Sequence, residues 1–334
     1  SGASNTTGLD NAFFGRQAAY ANTTGNYNTA LGTYALLSNT TASSNTAVGY
    51  GALDANTTAD NNTAMGVSAL GANTTGASNT AVGRHALLLN TTADNNTALG
   101  FECLRGNTTA ADNVGMGYKT LYTNTTGAEN TALGSYAMNS NSTGTGNVAI
   151  GRLAMRYNTT ADNNTAVGLS ALTANTTGTD NVALGESSLL SNTTADYNTA
   201  VGKSALRLNT TGANNTAVGK GSLYDNTTGT YNTAVGSLAL ENSTTGISNT
   251  AVGGQALQGN TTGDYNTAMG VNALDKNTTA DGNTGIAAGA LAANTTGASN
   301  TAVGQNALTA NTTGAQNTCV GGGSGDSITT GSNN

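Results

Sequence analysis

The sequence predicts an all-β fold, a parallel β-solenoid in which each repeat makes one coil, and three observations predict it. A 17-residue unit begins at Asn11 and recurs without insertion at Asn28, Asn45, Asn62 and onward to Asn317. Two positions of the unit, N-T-A-V-G-x-x-A-L-x-x-N-T-T-G-x-x, are apolar almost without exception. All the charged residues, 10 basic and 17 acidic, fall at positions 6, 7, 10, 11, 16 or 17, counted from the first Asn. Self-similarity at a fixed short period marks a repeat architecture, in which each unit buries its surface against its neighbours. Residues 1–334 therefore read as one repeat domain of 19 coils, with 1–10 a partial repeat and 317–333 a degenerate last one.

Each element of the coil follows from its residues. Position 4 is apolar in every unit, from Phe14 through Val48 and Ile150 to Val320. Position 2 is Thr with exchange to Val at Val114, Val148 and Val182, as expected of a packed site. Positions 2 and 4 are read as the inner face of a first strand over positions 2–5, since alternate residues share a face. The small residues of positions 3, 5 and 8 then form a smooth outer stripe, which predicts close packing of chains as a homotrimer or lateral bundle. A second strand is expected around positions 7–10, carrying the Leu or Met of position 9. Gly at position 5 and the NTTG run supply the turns. A helical alternative fails because Thr, Asn and Gly are poor helix residues. At strand spacing, the stack predicts a rod on the order of 90 Å.

Burial of one Val-class and one Leu-class side chain cannot by itself offset the entropy of ordering a coil. The Asn of position 1 is therefore read as a structural ladder: Asn28, Asn45, Asn62, Asn79, Asn96, Asn113, Asn130, Asn147, Asn164 and Asn181, whose amides bond from coil to coil.

Composition bounds the function. Charged residues make up 8% and aromatics 4%, with 46 Gly and no Pro, so the chain is biased but lacks the Pro, Glu and Lys of a disordered one. A net charge of −7 and no basic run speak against a nucleic-acid partner. No apolar stretch is long enough to span a membrane, so no membrane insertion is expected. No cofactor, metal site or enzyme activity is expected. His85, the one histidine, reads as a surface residue, the carboxylates are not paired, and Cys103 and Cys319 read as buried small residues too far apart for a disulfide. Ten of the 17 acids sit at positions 16 or 17, whereas Arg84, Lys203, Arg207 and the other cations keep to positions 6, 7, 10 and 11. One edge is thus acidic and another mildly basic, an arrangement that attracts neighbouring chains and weakens in high salt. The Gly- and Asp-rich signature of a calcium-binding repeat is absent.

The stretches NVAIG at Asn147–Gly151 and NVALG at Asn181–Gly185, each followed by x-x-A/S-L/M, resemble the YadA-like head repeats of trimeric autotransporter adhesins, and related β-roll repeats of phage tail-fibre-like proteins. The resemblance covers residues 11–334, and the extra length of this unit lies in its NTTG turn. It implies a left-handed parallel β-roll, trimeric, displayed outside the cell for adhesion.

The NTT run has three readings. It is a turn; it also satisfies the N-x-[ST] acceptor pattern. The candidate N-glycosylation sites are Asn22, Asn39, Asn56, Asn73, Asn90, Asn107, Asn124, Asn141, Asn158, Asn175, Asn192, Asn209, Asn226, Asn260, Asn277, Asn294 and Asn311, with Asn242 a shifted one. The third reading is ice binding, which the sequence favours least because Thr at position 2 is read as facing inward. The leading expectation is a structural protein, an extracellular, self-assembling fibre or filament at a bacterial or phage-like surface. The main alternative is an adhesin or tail-fibre head binding a surface receptor, which should concentrate Tyr and charge in a few coils; here they read as scattered. The absence of a distinct capping coil also suggests head-to-tail stacking.

Overall fold

A computed structural model describes all residues 1–334 and contains no helix, so no helix is long and apolar enough to cross a membrane. The chain forms two compact units, Ser1–Asn164 and Thr165–Asn334. The first carries strands β1 (Ala12–Phe14) to β9 (Val148–Ile150), and the second β10 (Thr165–Val167) to β19 (Thr318–Val320). Within each unit, successive strands pair in parallel and in register, so that Thr46, Ala47 and Val48 lie beside Thr63, Ala64 and Met65 of the next coil. Each unit is a β-solenoid with one coil per repeat, as the period requires.

The two faces of the strand are opposite to the sequence expectation. Ala47 at position 3 is fully buried, while Thr46 and Val48 on either side are half-exposed, and the same alternation recurs along both units. Position 1 sets this parity. Asn45 is buried, so positions 1 and 3 face inward and positions 2 and 4 outward, while the strand-ending glycine of position 5 is half-exposed. Thr and Val exchange at position 2 because both suit a strand, and a packed site is not needed to explain it. The interior of a coil is Leu53 with Ala47 and Ala52, flanked by Asn45 and Asn56, all of them fully buried. Of the predicted stripe of small residues, positions 3 and 8 are core and only the glycine of position 5 reaches the surface, so the stripe cannot join chains.

The interior is tightly filled. Gly115 stands where other coils have Ala, and a Cβ there would lie 2.6 Å from Sγ of Cys103, which occupies an Ala slot in the preceding coil. At Gly49, where the strand ends with φ +134°, a Cβ would meet the Gly66 carbonyl oxygen at 2.6 Å, so position 5 admits no side chain without displacement. Ala287 is the exception at that position and holds a φ of 95°.

The expected second strand is replaced by a different conformation. At positions 7 and 9 non-glycine residues take left-handed φ, as in Tyr34 (62°) and Leu36 (55°). Left-handed residues cost about 1–2 kcal/mol each. Inter-coil bonds help to offset this: Tyr34 N–H donates to the Arg16 carbonyl of the coil before, and Leu36 N–H to the Ala52 carbonyl of the coil after. The bend lets Ala52 and Leu53 point into a narrow interior while positions 6, 7, 10 and 11 stay outside. No extended segment of that length would do both.

Candidate functional site

The asparagines form two different ladders. At position 1, each backbone N–H donates to the side chain of the coil before, as from Asn45 N to Asn28 Oδ1 (3.0 Å), and the Asn45 amide donates to the Ala59 carbonyl at 3.0 Å. At position 12 the bonds run side chain to side chain: Asn56 Nδ2 donates to Asn39 Oδ1 at 3.0 Å and to the Ala59 carbonyl at 3.0 Å. The sequence ladder of Asn28 to Asn181 is thus present, joined by a second one at the candidate glycosylation positions. Those positions are completely buried, and the nitrogen that would carry sugar is used within the fold, twice in Asn22, Asn73, Asn192 and Asn311. A glycan there and this coil exclude each other. Asn242 lies outside the ladder and is exposed.

The acidic edge has a structural job. Asp60 Oδ1 accepts the Ser43 N–H of the preceding coil at 2.7 Å, and Asp94, Asp162 and Asp196 do the same for Ala77, Thr145 and Thr179. These carboxylates fasten coils together. Cys103 is fully buried, with its thiol pushed up to about 12 by desolvation, whereas Cys319 is only half-buried; both are free.

Two outer surfaces remain. The first is the strand face, where Thr of position 2 and the apolar residue of position 4 line up coil after coil without a charge. Phe14 is 75% exposed there, and Met65, Met116, Ile150 and Met269 are also exposed. A contiguous exposed apolar surface of this kind marks an interaction site.

The second surface is built from positions 6, 7, 10 and 11 of the fifth to ninth coils, residues 79–163. It holds Arg84, Arg105, Lys119, Arg152 and Arg156, half of the chain's 10 cations, with His85 among them. Phe101 and Tyr118 stack with ring centroids 5.4 Å apart, and Tyr118 meets Tyr136 edge-on at 5.2 Å. Guanidinium groups lie over these rings: Arg84 over Phe101 (5.7 Å), Arg105 over Tyr122 (5.6 Å), and Arg156 over Tyr136 (5.3 Å). Glu102 is the one acid on this face; it is 3.4 Å from Lys119 Nζ and 3.7 Å from His85 Nδ1. His85 is therefore part of a cluster, and the exposed residues are not scattered. The signal was in the sequence at an offset of one coil, visible only when positions 6, 7, 10 and 11 are tabulated coil by coil. No protein-family model matches the chain, and no curated protein matches it.

Proposed function

We propose that this is a structural, extracellular fibre protein whose copies associate through the strand face. The observation that carries the reading is the outward position-4 column, apolar in every coil and flanked by Thr rather than charge. A second copy is the fitting occupant because it would bring the same uncharged column at the same coil spacing, and so could pair apolar surface with apolar surface along the stack. Its position-4 side chains range from Val to Met and Phe, a variation that protein packing absorbs. The resemblance to trimeric head repeats agrees with association of copies outside the cell.

Ice binding is a second reading of the same face, favoured by the outward Thr rows that the sequence placed inward. It is the weaker one, since Phe14, Met65 and Ile150 interrupt the even surface that a crystal lattice would match.

Analytical ultracentrifugation separates the readings. The wild-type chain should sediment as an oligomer. The triple variant Met65→Lys, Val235→Lys, Met269→Lys should sediment as a monomer with an unchanged circular dichroism spectrum. A wild-type chain that stays monomeric at all concentrations and depresses the freezing point below the melting point supports ice binding and overturns the fibre.

A further inference from the structure

The cation–aromatic face of the fifth to ninth coils packs coil against coil, as Arg84 on Phe101 and Arg105 on Tyr122, but no contact within it neutralises its arginines. Its charge is uncompensated. Arg84, Arg105, Arg152 and Arg156 have no carboxylate partner, since the one nearby acid, Glu102, is taken by Lys119 and His85. The guanidinium planes are oriented by stacking: the Nε of Arg105 and of Arg156 is buried without a hydrogen-bond partner, and Arg105 Nη1 accepts its position from the Tyr122 hydroxyl, to which it donates at 3.2 Å. Fixed guanidinium forks are the groups that take carboxylates two-pronged. Tyr118 and Tyr157 add exposed amphipathic rings beside them.

We propose that this face binds an acidic polysaccharide, with its carboxylates on the unpaired arginines and its hydroxyls, which need no open ring face, toward the exposed tyrosines. An extended polymer suits a surface whose cations are spread over five successive coils, from Arg84 to Arg156. A single-stranded nucleic acid would also bring negative charge and flat rings. It binds by inserting bases between or onto open aromatic faces, yet Phe101 and Tyr118 are nearly parallel (8°) and in mutual contact, with guanidinium groups already over Phe101, Tyr122 and Tyr136.

Titration of the full chain with polygalacturonate, dextran and oligothymidylate, followed by tyrosine fluorescence or calorimetry, tests this. Polygalacturonate should bind at low ionic strength and weaken as salt screens it, and dextran should not bind. The variant Arg105→Gln, Arg152→Gln, Arg156→Gln should bind at least about tenfold more weakly, as expected for loss of charge-assisted pairs. Arg207→Gln with Lys220→Gln, in the second unit, should bind as wild type. Arg152 is exposed, so Arg152→Gln alone should weaken binding measurably without endangering the fold. All these changes leave the strand face intact, so sedimentation should not move, which keeps this test distinct from that of the fibre. Equal binding of dextran, tighter binding of oligothymidylate, or wild-type affinity in the triple variant would each overturn the proposal.

Discussion

Ser243 measures what one rung of the inner ladder contributes. It replaces Asn at position 12, and two buried groups are left without partners: its own Oγ and Oδ1 of Asn226 in the coil before. An unsatisfied buried polar group costs about 1–3 kcal/mol. Ser243→Asn should therefore raise stability by about 1–2 kcal/mol, read as a higher urea midpoint; an unchanged midpoint would show that the rung contributes nothing. At this scale the sequence was half legible. Recurrence of Asn announced a ladder, because an amide that returns in every coil has an identical neighbour to bond. The side of the strand it faced was not announced. Thr and Val occupy inner and outer strand positions equally well, so their exchange carries no parity. Parity comes from the buried amide of position 1, whose bond to the position-15 carbonyl closes only in three dimensions.

A single coil is the next scale, and its outer rim is electrostatically uneven. Asp225 and Glu241 lie in adjacent coils, where Asp225 N–H donates to the Glu241 carbonyl at 2.9 Å. Partial burial, and then the Glu241 charge, raise the Asp225 carboxyl above its ordinary value of 3.8. A carboxyl with a raised folded value favours the neutral form in the fold. Stability therefore falls as pH rises from the ordinary value through the raised one, and the full penalty stands at neutral pH. Asp225→Asn should raise the denaturation midpoint slightly at pH 7, and the gain should vanish below the ordinary carboxylate range. An equal gain at both pH values would mean that charge is not the cause. The strand of each coil was legible from its three residues and the glycine that ends it. The segment at positions 7–10 was not, because left-handed Tyr34 and Leu36 carry no signature of their own; glycine would have given one.

At the scale of the whole molecule, the sequence contained the two outer surfaces but read one inside out and the other as scattered. The period concealed the cluster: Arg84, Phe101 and Tyr118 are far apart in the chain and adjacent in the fold. The same folding removes the NTT acceptors from reach. Expressed in a cell that attaches N-linked sugar, the folded chain should keep a mass near 32.7 kDa, with any addition confined to exposed acceptors such as Asn242. A mass increased by many glycans would require position 12 to face outward, against the ladder.

In-register stacking also makes copy number a free variable for the gene. Removing or duplicating one complete unit within a solenoid leaves every Asn with the same kind of neighbour above and below, so the new chain inherits all its bonds. A change that is not a whole number of units breaks the register at the junction and disrupts both ladders at once. Recombination between the near-identical repeats yields whole units by construction, so the fold tolerates the very errors its repetition invites, and length can drift while each surface keeps its chemistry.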